Sequence, residues 1–399
     1  MKRIKMKGLL MILGLLLATL VVLLTARFAD RNYTANVGDE GKEELVLTDS
    51  TINIEHTVFS EDVYLINELA RDYIMQKGEV TINSLRDKYQ YGETRLDGDL
   101  PVHIWYKIKG LPFGCSVTSA VLEVSEDLKY SNPRKFQMES SESFIDVNLL
   151  KANTTYFYRI TLELSDGTVT GVTGQFKTAN TPRMLNVDGV MNMRDIGGWT
   201  TMDGNTIRQG LLYRGAELDG EVKSEYVITE SGVNQMLHVL GIRTEMDLRG
   251  KSLTTIPADT LGKDVKHVIY NIPPYVDVLQ KANNEAMLNI FTDLANADNY
   301  PIYLHDTYGL DQTGTVCYLL GGLLGMKEED LMIDYRLSIL GLGGLNYEDM
   351  TEFVFSLQKY DGATTQAKVQ NYLTSIGVTA EQIASIRQIF LEAPKTPAK

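Results

Sequence analysis

The sequence predicts an α/β domain with a central sheet and flanking helices, preceded by an all-β sandwich domain and an N-terminal transmembrane helix. Three observations predict this architecture: an uncharged apolar run behind a basic leader, a series of short β-rich segments, and an alternation of strand-like and helix-like segments toward the end of the chain. The chain has 399 residues, of which 44% are hydrophobic and 23% are charged. This composition suits two or three globular domains.

Residues 1–30 are predicted to be a signal anchor. A basic leader precedes residues 8–26, which carry no charge. This run is longer than the apolar core of a cleaved signal peptide, roughly 7–15 residues, and close to the ~20 residues that span a bilayer. The positive-inside rule predicts a single-pass protein of the cell membrane with most of the chain extracytoplasmic. The alternative is a cleaved signal peptide and a secreted protein.

The net charge of the chain indicates which classes of partner are expected. The net charge of −14 opposes binding to nucleic acid, so no nucleic-acid partner is expected, and the membrane contact is expected only through the N-terminal helix. The two cysteines, Cys115 and Cys317, do not make a disulfide framework, and Cys317 lies in an apolar run that predicts a buried thiol.

Residues 31–99 are predicted to hold a polar tether and a region that either stands alone or belongs to the sandwich. Within it, residues 61–75 have apolar side chains at helical spacing. This region is the least informative part of the sequence.

Residues 100–180 are predicted to form the sandwich, because short segments rich in β-branched and aromatic residues alternate there with turn residues. The predicted strands are 102–108, 120–125, 143–149, 155–164 and 173–178. The stretch LLKANTTYFYRITLELSDGTVTGVTGQFKT resembles the end of fibronectin type III domains. The resemblance implies a spacer or adhesion module in which Tyr156 or Tyr158 is the corner tyrosine.

Residues 185–392 are predicted to form the α/β domain. Predicted strands at 241–248 and 300–306 alternate with predicted helices at 314–325, 327–340, 348–359 and 379–392. The most informative stretch is YPIYLHDTYGLDQTGTVCYLL, in which a strand enters His305, a short loop contains Gly309, and a helix begins near Thr313. A strand, a tight loop and a helix N-terminus together direct backbone N–H groups at an anion.

This loop resembles that of bacterial tyrosine and dual-specificity phosphatases, whose motif is H-C-x-x-G-x-D-R-T-G. The residues of this chain at the ten positions are His305, Asp306, Thr307, Tyr308, Gly309, Leu310, Asp311, Gln312, Thr313 and Gly314. Further motifs resemble the same family in the same order: Asn192–Gly198, Leu212–Gly215, Gly241–Arg249, and the closing helices at 322–338 and 371–392. The resemblance implies a sheet flanked by helices, with the loop at the carboxyl edge of the sheet.

Two departures from the motif remove the family's chemistry. Asp306 replaces the nucleophilic cysteine, Gln312 replaces the arginine that binds phosphate, and Leu310 stands where some relatives have lysine. A carboxylate is a poor nucleophile toward a phosphate ester without a metal, and an amide binds phosphate more weakly than a guanidinium does. Asp306 would also repel a bound phosphate by about 4 kcal/mol per charge pair at ~4 Å and an effective dielectric of ~20. We expect the Asp306 carboxylate itself to accept the loop N–H groups, as a self-filled anion nest.

The remaining candidate residues each have a functional and a structural interpretation. By the resemblance, Asp311 is the general acid; otherwise it is a carboxylate stabilised at the helix N-terminus. His305 orients the loop or is a hydrogen-bonded structural histidine. Arg194 and Asp195 pair with each other or with the loop, and Arg214 reaches a ligand anion or is structural. The predicted ligand-binding set is His305, Thr307, Tyr308, Gly309, Leu310, Thr313, Gly314, Asn192, Arg194, Asp195 and Arg214, with no metal and no cofactor.

Three functions of different classes follow. The first is a catalytically inactive pseudophosphatase that binds or scaffolds a phosphorylated or anionic ligand or a protein partner. The alternative is an active protein-tyrosine or phosphoinositide phosphatase that hydrolyses phosphate monoesters. The third is a bacterial surface adhesion module in which the sandwich acts. The residues at positions 306 and 312 separate the first two, and an exposed aromatic or sugar-binding cluster on the sandwich would indicate the third.

Overall fold

The structure is a computed structural model that describes residues 46–47, 52–58, 63–76, 81–89, 96–111, 113–138, 142–180, 182–250 and 260–393. The predicted signal anchor at 1–30 lies outside these residues. No helix in the described ranges is both long enough and apolar enough to span a bilayer.

The described elements follow one another in this order. The strands are β1 (Val46–Leu47), β2 (Asn53–Val58), β3 (Val102–Lys109), β4 (Val117–Ser125), β5 (Arg134–Gln137), β6 (Glu142–Val147), β7 (Thr155–Leu164), β8 (Val169–Lys177), β9 (Arg194–Asp195), β10 (Thr206–Ile207), β11 (Leu212–Gly215), β12 (Thr244–Asp247), β13 (Lys266–Ile269), β14 (Ile302–His305) and β15 (Leu391–Glu392). The α-helices are α1 (Glu68–Met75), α2 (Ile82–Tyr89), α3 (Glu230–Asn234), α4 (Asn284–Leu294), α5 (Asp311–Leu324), α6 (Glu328–Arg336), α7 (Ile339–Leu342), α8 (Tyr347–Ser356), α9 (Thr365–Ser375) and α10 (Ala380–Phe390).

The chain divides into two compact units. Of the described residues, one unit contains those up to Ile54, those within 108–138 and those at 157–175, and the other contains those within 55–107, those at 142–156 and those from Phe176 onward. In the first unit an antiparallel sheet has the strand order β1-β8-β7-β4-β5. Strand β7 alternates buried residues, such as Tyr158 and Leu162, with less buried ones, as expected for a half-buried strand.

The second unit contains a three-stranded sheet of order β2-β3-β6 and an α/β sheet. Within this unit Tyr156, one of the two candidates for the corner tyrosine, accepts a hydrogen bond from the backbone N–H of Lys151 at 2.8 Å. The assignment of residues 100–180 to one fibronectin type III-like sandwich stays a prediction.

The α/β sheet has the strand order β13-β12-β14-β11-β9. Strands β13, β12, β14 and β11 are parallel, and β9 pairs antiparallel with β11 at the edge. The predicted α/β class is therefore confirmed. Strand β14 lies in the middle, so the loop that follows it opens at the carboxyl edge between β11 and β12.

Both faces of this sheet are buried. Successive side chains of a strand point to opposite faces. Accordingly, Leu212 and Ile302 belong to one core cluster, whereas their chain neighbours Tyr213 and Tyr303 belong to another. The first cluster collects apolar residues from α4, α5, α8, α9 and α10, and the second collects them from the segments 185–193 and 228–242. A parallel sheet covered on both faces is the arrangement that βα crossovers produce.

Part of the region 31–99 packs against the same α/β body. Residues of α1 and α2 share an apolar cluster with Ile333, Leu337 and Leu340 of the α6–α7 region. The backbone N–H of Leu96 donates to the carbonyl oxygen of Leu340 at 3.2 Å. Residues 61–75, whose apolar side chains have helical spacing, contain α1.

The helices of the C-terminal half differ from their predicted bounds in two places. The helix predicted at 327–340 is broken into α6 and α7, and at the break the hydroxyl of Ser338 accepts hydrogen bonds from Asn192 and Arg194. The helix predicted at 379–392 ends at Phe390, because residues 391–392 form β15 and pair with β10. The sequence analysis also missed α4, whose apolar face is buried in the first core cluster.

Candidate functional site

The loop between β14 and α5 is the candidate site. It turns sharply at Gly309, which has φ +66°. A Cβ at this position would lie 2.3 Å from the backbone carbon and oxygen of Gly215. Only glycine therefore combines the left-handed conformation with this close approach to β11. The first turn of α5 follows at Asp311, so the loop N–H groups and the helix N-terminus face the same point.

The Asp306 carboxylate occupies that point. One oxygen, Oδ1, accepts the backbone N–H groups of Tyr308 at 2.8 Å, Gly309 at 2.6 Å and Leu310 at 3.3 Å. The other, Oδ2, accepts the N–H of Thr313 at 2.9 Å. The side chain is buried, with a relative exposure of 1%. The self-filled anion nest predicted from the sequence is confirmed.

Two carbonyl groups of the loop accept hydrogen bonds from buried side chains of other segments. Asn192 Nδ2 donates to the carbonyl oxygens of Tyr308 at 2.9 Å and Gly309 at 3.1 Å. Arg214 Nη2 donates to the same Gly309 oxygen at 2.8 Å. With the carbonyl groups held on one side, the N–H groups of the loop are directed to the other side, where Asp306 lies.

Beneath the loop lies a buried charge cluster centred on Asp334 of α6. Its oxygens pair with Arg194 Nε at 3.0 Å and with Arg214 Nη1 at 2.6 Å. Burial alone would raise the pKa of Asp334, but the two guanidinium groups outweigh it and lower that pKa. Burial and the neighbouring Arg214 lower the pKa of Arg194 to about 10. The two cations and Asp334 leave one positive charge, which the Asp306 carboxylate offsets.

Asp334 and Ser338 were not predicted from the sequence. Ser338 accepts hydrogen bonds from Arg194 Nη2 at 3.1 Å and from Asn192 Nδ2 at 3.1 Å. The available signal was a lone carboxylate among the apolar residues of LMIDYRLS, on a helix face that had to be buried. The Nη groups of Arg194 and Arg214 bind protein acceptors, which fits the structural interpretation of both side chains.

His305 lies at the end of β14 and is completely buried. Its Nε2 is 3.0 Å from Glu245 Oε1, and its ring stacks on Tyr303 with ring centroids 5.3 Å apart. Burial alone would lower the pKa of His305, but the carboxylates of Asp247 and Glu245 raise it above the usual value. Asp247 belongs to an adjoining cluster in which Arg249 also pairs with Glu217 and Asp219. The geometry fits the structural interpretation of His305.

Asp311, at the position of the family's general acid, is held by two donors. Its Oδ1 accepts the Tyr275 hydroxyl at 2.5 Å and Asn346 Nδ2 at 2.7 Å. The same tyrosine hydroxyl lies 2.8 Å from that of Tyr335. Burial raises the pKa of Asp311, and the nearby Asp306 charge acts in the same direction. Sequence reasoning missed Tyr275 and Asn346, which come from distant segments without a motif.

The other predicted residues divide between the loop and its surroundings. Gln312 is half-buried and makes no hydrogen bond through its side chain with any residue that the structure describes. The ring of Tyr308 packs edge-on against Tyr226 and lies beneath the Lys223 ammonium group. Asp195 does not join the loop, because it pairs with Arg183 at 2.7 Å and accepts backbone N–H groups.

Three further predicted positions serve the geometry of the loop. The carbonyl oxygen of Thr307 accepts the N–H of Glu217 at 3.3 Å. Leu310 packs in the first core cluster, and Gly314 lies against the ring of Tyr335. Among the described residues, no group of three or more His, Cys, Asp or Glu side chains is placed to hold a metal ion.

Together, the covered parallel sheet and the loop at its carboxyl edge define an α/β protein with an anion-binding loop. The chain belongs to the tyrosine phosphatase family, which it matches over residues 185–392. No curated protein matches its sequence.

Proposed function

We propose that this chain is a membrane-anchored, extracytoplasmic pseudophosphatase that acts by binding or scaffolding rather than by hydrolysis. One observation carries the proposal: the carboxylate of Asp306 accepts four backbone N–H groups of the loop. These are the donors that would otherwise receive the oxygens of a phosphate.

The chemistry of the loop supports inactivity on two independent grounds. The nucleophile position holds a carboxylate whose two oxygens are both engaged by N–H groups. Gln312 supplies a neutral amide where phosphoryl transfer needs a cation, and electrostatic stabilisation of the transition state usually contributes more to catalysis than any other effect. Each charge-assisted hydrogen bond lost in this exchange is worth about 1.5–3 kcal/mol.

Phosphate binding is also opposed at the ground state. A phosphate at the nest would have to displace Asp306 or lie beside it, with repulsion of about 4 kcal/mol per charge pair at ~4 Å and an effective dielectric of ~20. If a phosphate displaced Asp306, the carboxylate would stay in a buried site but would lose its four N–H donors. The proposed function therefore does not require the binding partner to carry a phosphate group.

The proposed membrane localisation rests on the N-terminal sequence. The uncharged run at residues 8–26 behind a basic leader supports an anchor.

The decisive experiment is a turnover assay on a generic phosphate ester, on phosphotyrosine peptide and on a phosphoinositide. We expect no turnover by the wild-type chain or by Asp306→Cys and Gln312→Arg singly, because each variant still lacks one half of the machinery. The double variant Asp306→Cys/Gln312→Arg is the positive control for the fold, and turnover is expected only there. Wild-type hydrolysis that Asp306→Ala abolishes would establish the alternative, an active phosphatase with an aspartate-based mechanism.

A surface function of the three-stranded sheet is the second candidate, and one observation favours it. Phe144 is 52% exposed, and His103 packs edge-on against it with ring centroids 5.4 Å apart. Trp105 is its cross-strand neighbour. Exposed aromatic clusters mark interaction sites, and flat rings beside polar groups suit carbohydrate. Sedimentation with insoluble polysaccharide tests it: Phe144→Ala should abolish binding, and Phe113→Ala, at another exposed phenylalanine, should not.

A further inference from the structure

We propose that Asp97, which precedes the family's matched region, is a positioning residue for the loop, and that the described residues 63–76, 81–89 and 96–100 thereby regulate the closure of the nest. The inference deepens the proposed function, because it names what controls that same loop. The residue acts on the nest through Asn192.

The contact between Asp97 and Asn192 is direct. Asp97 Oδ2 accepts the backbone N–H of Asn192 at 2.5 Å, and Asp97 is fully buried. Asn192 has φ +55°, a left-handed conformation that costs free energy in a non-glycine residue. A charged acceptor on its N–H compensates for part of that cost.

The conformation of Asn192 matters because its side chain holds the loop. Asn192 Nδ2 donates to the carbonyl oxygens of Tyr308 and Gly309, and Oδ1 accepts from Arg194 Nη1 at 2.6 Å. Two hydrogen-bonded steps therefore connect Asp97 to the peptide groups whose N–H atoms bind Asp306. A shift of the Asn192 backbone would release those carbonyl groups.

Asp97 is itself placed by its own segment. Leu96 packs in the apolar cluster with α1 and α2, and its N–H donates to the Leu340 carbonyl oxygen at 3.2 Å. Gly341 makes room for the carboxylate, because a Cβ there would lie 2.4 Å from Asp97 Oδ2. The N–H of Leu100 donates to the carbonyl oxygen of Leu65 at 2.7 Å, which ties the end of the segment to its start.

This arrangement couples the segment to the loop. Displacement of residues 96–100 would take away the acceptor of the buried Asn192 N–H and loosen the nest. By linkage, a ligand that opens the nest would weaken the docking of the segment by the same factor. The phosphatase-like domain is therefore controlled from a part of the chain that lies outside its own family motifs.

The test is hydrogen exchange of the full chain, read on the loop amides of Tyr308, Gly309, Leu310 and Thr313. In Asp97→Ala we expect these amides to exchange at least about tenfold faster than in the wild type, the effect of one lost charge-assisted hydrogen bond. Reference amides in α9 should change much less. Asp97→Asn, which keeps an acceptor oxygen, should have an intermediate effect.

A second variant and a matched control make the test specific. Gly341→Ala leaves Asp97 unchanged but crowds its carboxylate, and it should accelerate the same four amides. Asp99→Ala is the control: Asp99 is a buried carboxylate of the same segment, but it accepts the N–H groups of Leu149 and Asn186. We expect Asp99→Ala to leave the loop amides at the rate of the reference amides.

The inference is overturned if the loop amides of Asp97→Asn and Gly341→Ala exchange no faster, relative to α9, than those of the wild type. It is also overturned if Asp99→Ala accelerates them as much as Asp97→Ala. This readout is independent of the turnover assay. Wild-type turnover would refute the proposed function and leave the exchange result standing.

Discussion

Gly309 and Asp306 together determine the geometry of the loop. The loop turns at Gly309 through a conformation and a spacing that exclude a side chain, and the turn brings three consecutive N–H groups to one carboxylate oxygen. The arrangement is a backbone nest. Its donors are fixed by the fold, and only the acceptor is a side chain.

We expect Gly309→Ala to lower the free energy of unfolding by about 3 kcal/mol or more, because the new Cβ would overlap the backbone of Gly215 in a left-handed conformation. The matched control is Gly241→Ala. Gly241 has φ +71° but no atom within 4 Å of a built Cβ, so it should lose only about 1–2 kcal/mol. Chemical denaturation measures both, and equal losses would contradict the steric explanation.

His305 should give stability a recognisable pH dependence. Its pKa is raised in the folded state, so its stabilising contribution is complete below the unfolded value of about 6.5 and is lost as the pH rises through the folded pKa. The groups that face it are Glu245, Asp247, Asp219 and Arg249, and His267 lies 4.0 Å from the same Glu245 oxygen.

We therefore expect the free energy of unfolding to fall as the pH rises above about 6.5 and passes through the raised pKa of His305. Glu245→Gln removes one of the two carboxylates that raise the pKa and should make this fall smaller. His238→Gln, at an exposed histidine, is the control and should not alter the slope. Denaturant titrations across this range decide it, and an unchanged slope in Glu245→Gln would count against the assignment.

Helix α6 contributes a buried carboxylate as well as an apolar face. It delivers Asp334 to two arginines that come from β9 and β11, and so it ties a helix to two strands below the loop. A buried carboxylate between two guanidinium groups contributes mainly through what its loss would leave unpaired.

Asp334→Asn should destabilise the protein by about 3–5 kcal/mol, because two buried cations would lose their counter-charge. Asp330→Asn, on the same helix, is the matched control. Burial raises the pKa of Asp330, so an uncharged amide there should change stability by less than about 0.5 kcal/mol. Thermal and denaturant unfolding compare the two, and a similar loss in both would argue against the charge cluster.

The sequence predicted elements and residues unevenly, for physical reasons. The strand, loop and helix at 300–324 could be predicted because period, turn residue and helix start lie next to one another in the chain. The acceptor role of Asp306 followed from the same local geometry. Asp334, Tyr275 and Asn346 could not be predicted, because their contacts depend on the packing of segments 35 to 140 residues apart.

The packing of α1 could not be predicted from the sequence for the same reason. The apolar residues of α1 have helical spacing in the sequence, but amphipathic spacing alone does not say which part of the protein the apolar face packs against. The structure places that face against α6 and α7. Only the tertiary structure shows that Asp97 then reaches Asn192.

For the whole molecule, the N-terminal sequence predicts attachment to a membrane. We expect the full chain to remain with the membrane fraction after alkaline washing and to be released by detergent, because residues 8–26 are long enough to span a bilayer. Leu16→Lys/Leu17→Lys, which places two charges inside the run, should weaken that retention. A soluble mature form that begins near Ala29 would show a cleaved signal peptide instead.

The covalent attachment of Asp306 to the loop that it fills has a thermodynamic consequence. A free anion stabilises its receptor only in proportion to its concentration relative to its dissociation constant. A tethered anion acts at an effective molarity fixed by the chain, on the order of millimolar or higher, and dilution does not reduce it. The occupancy of the nest by Asp306 is therefore independent of the protein concentration.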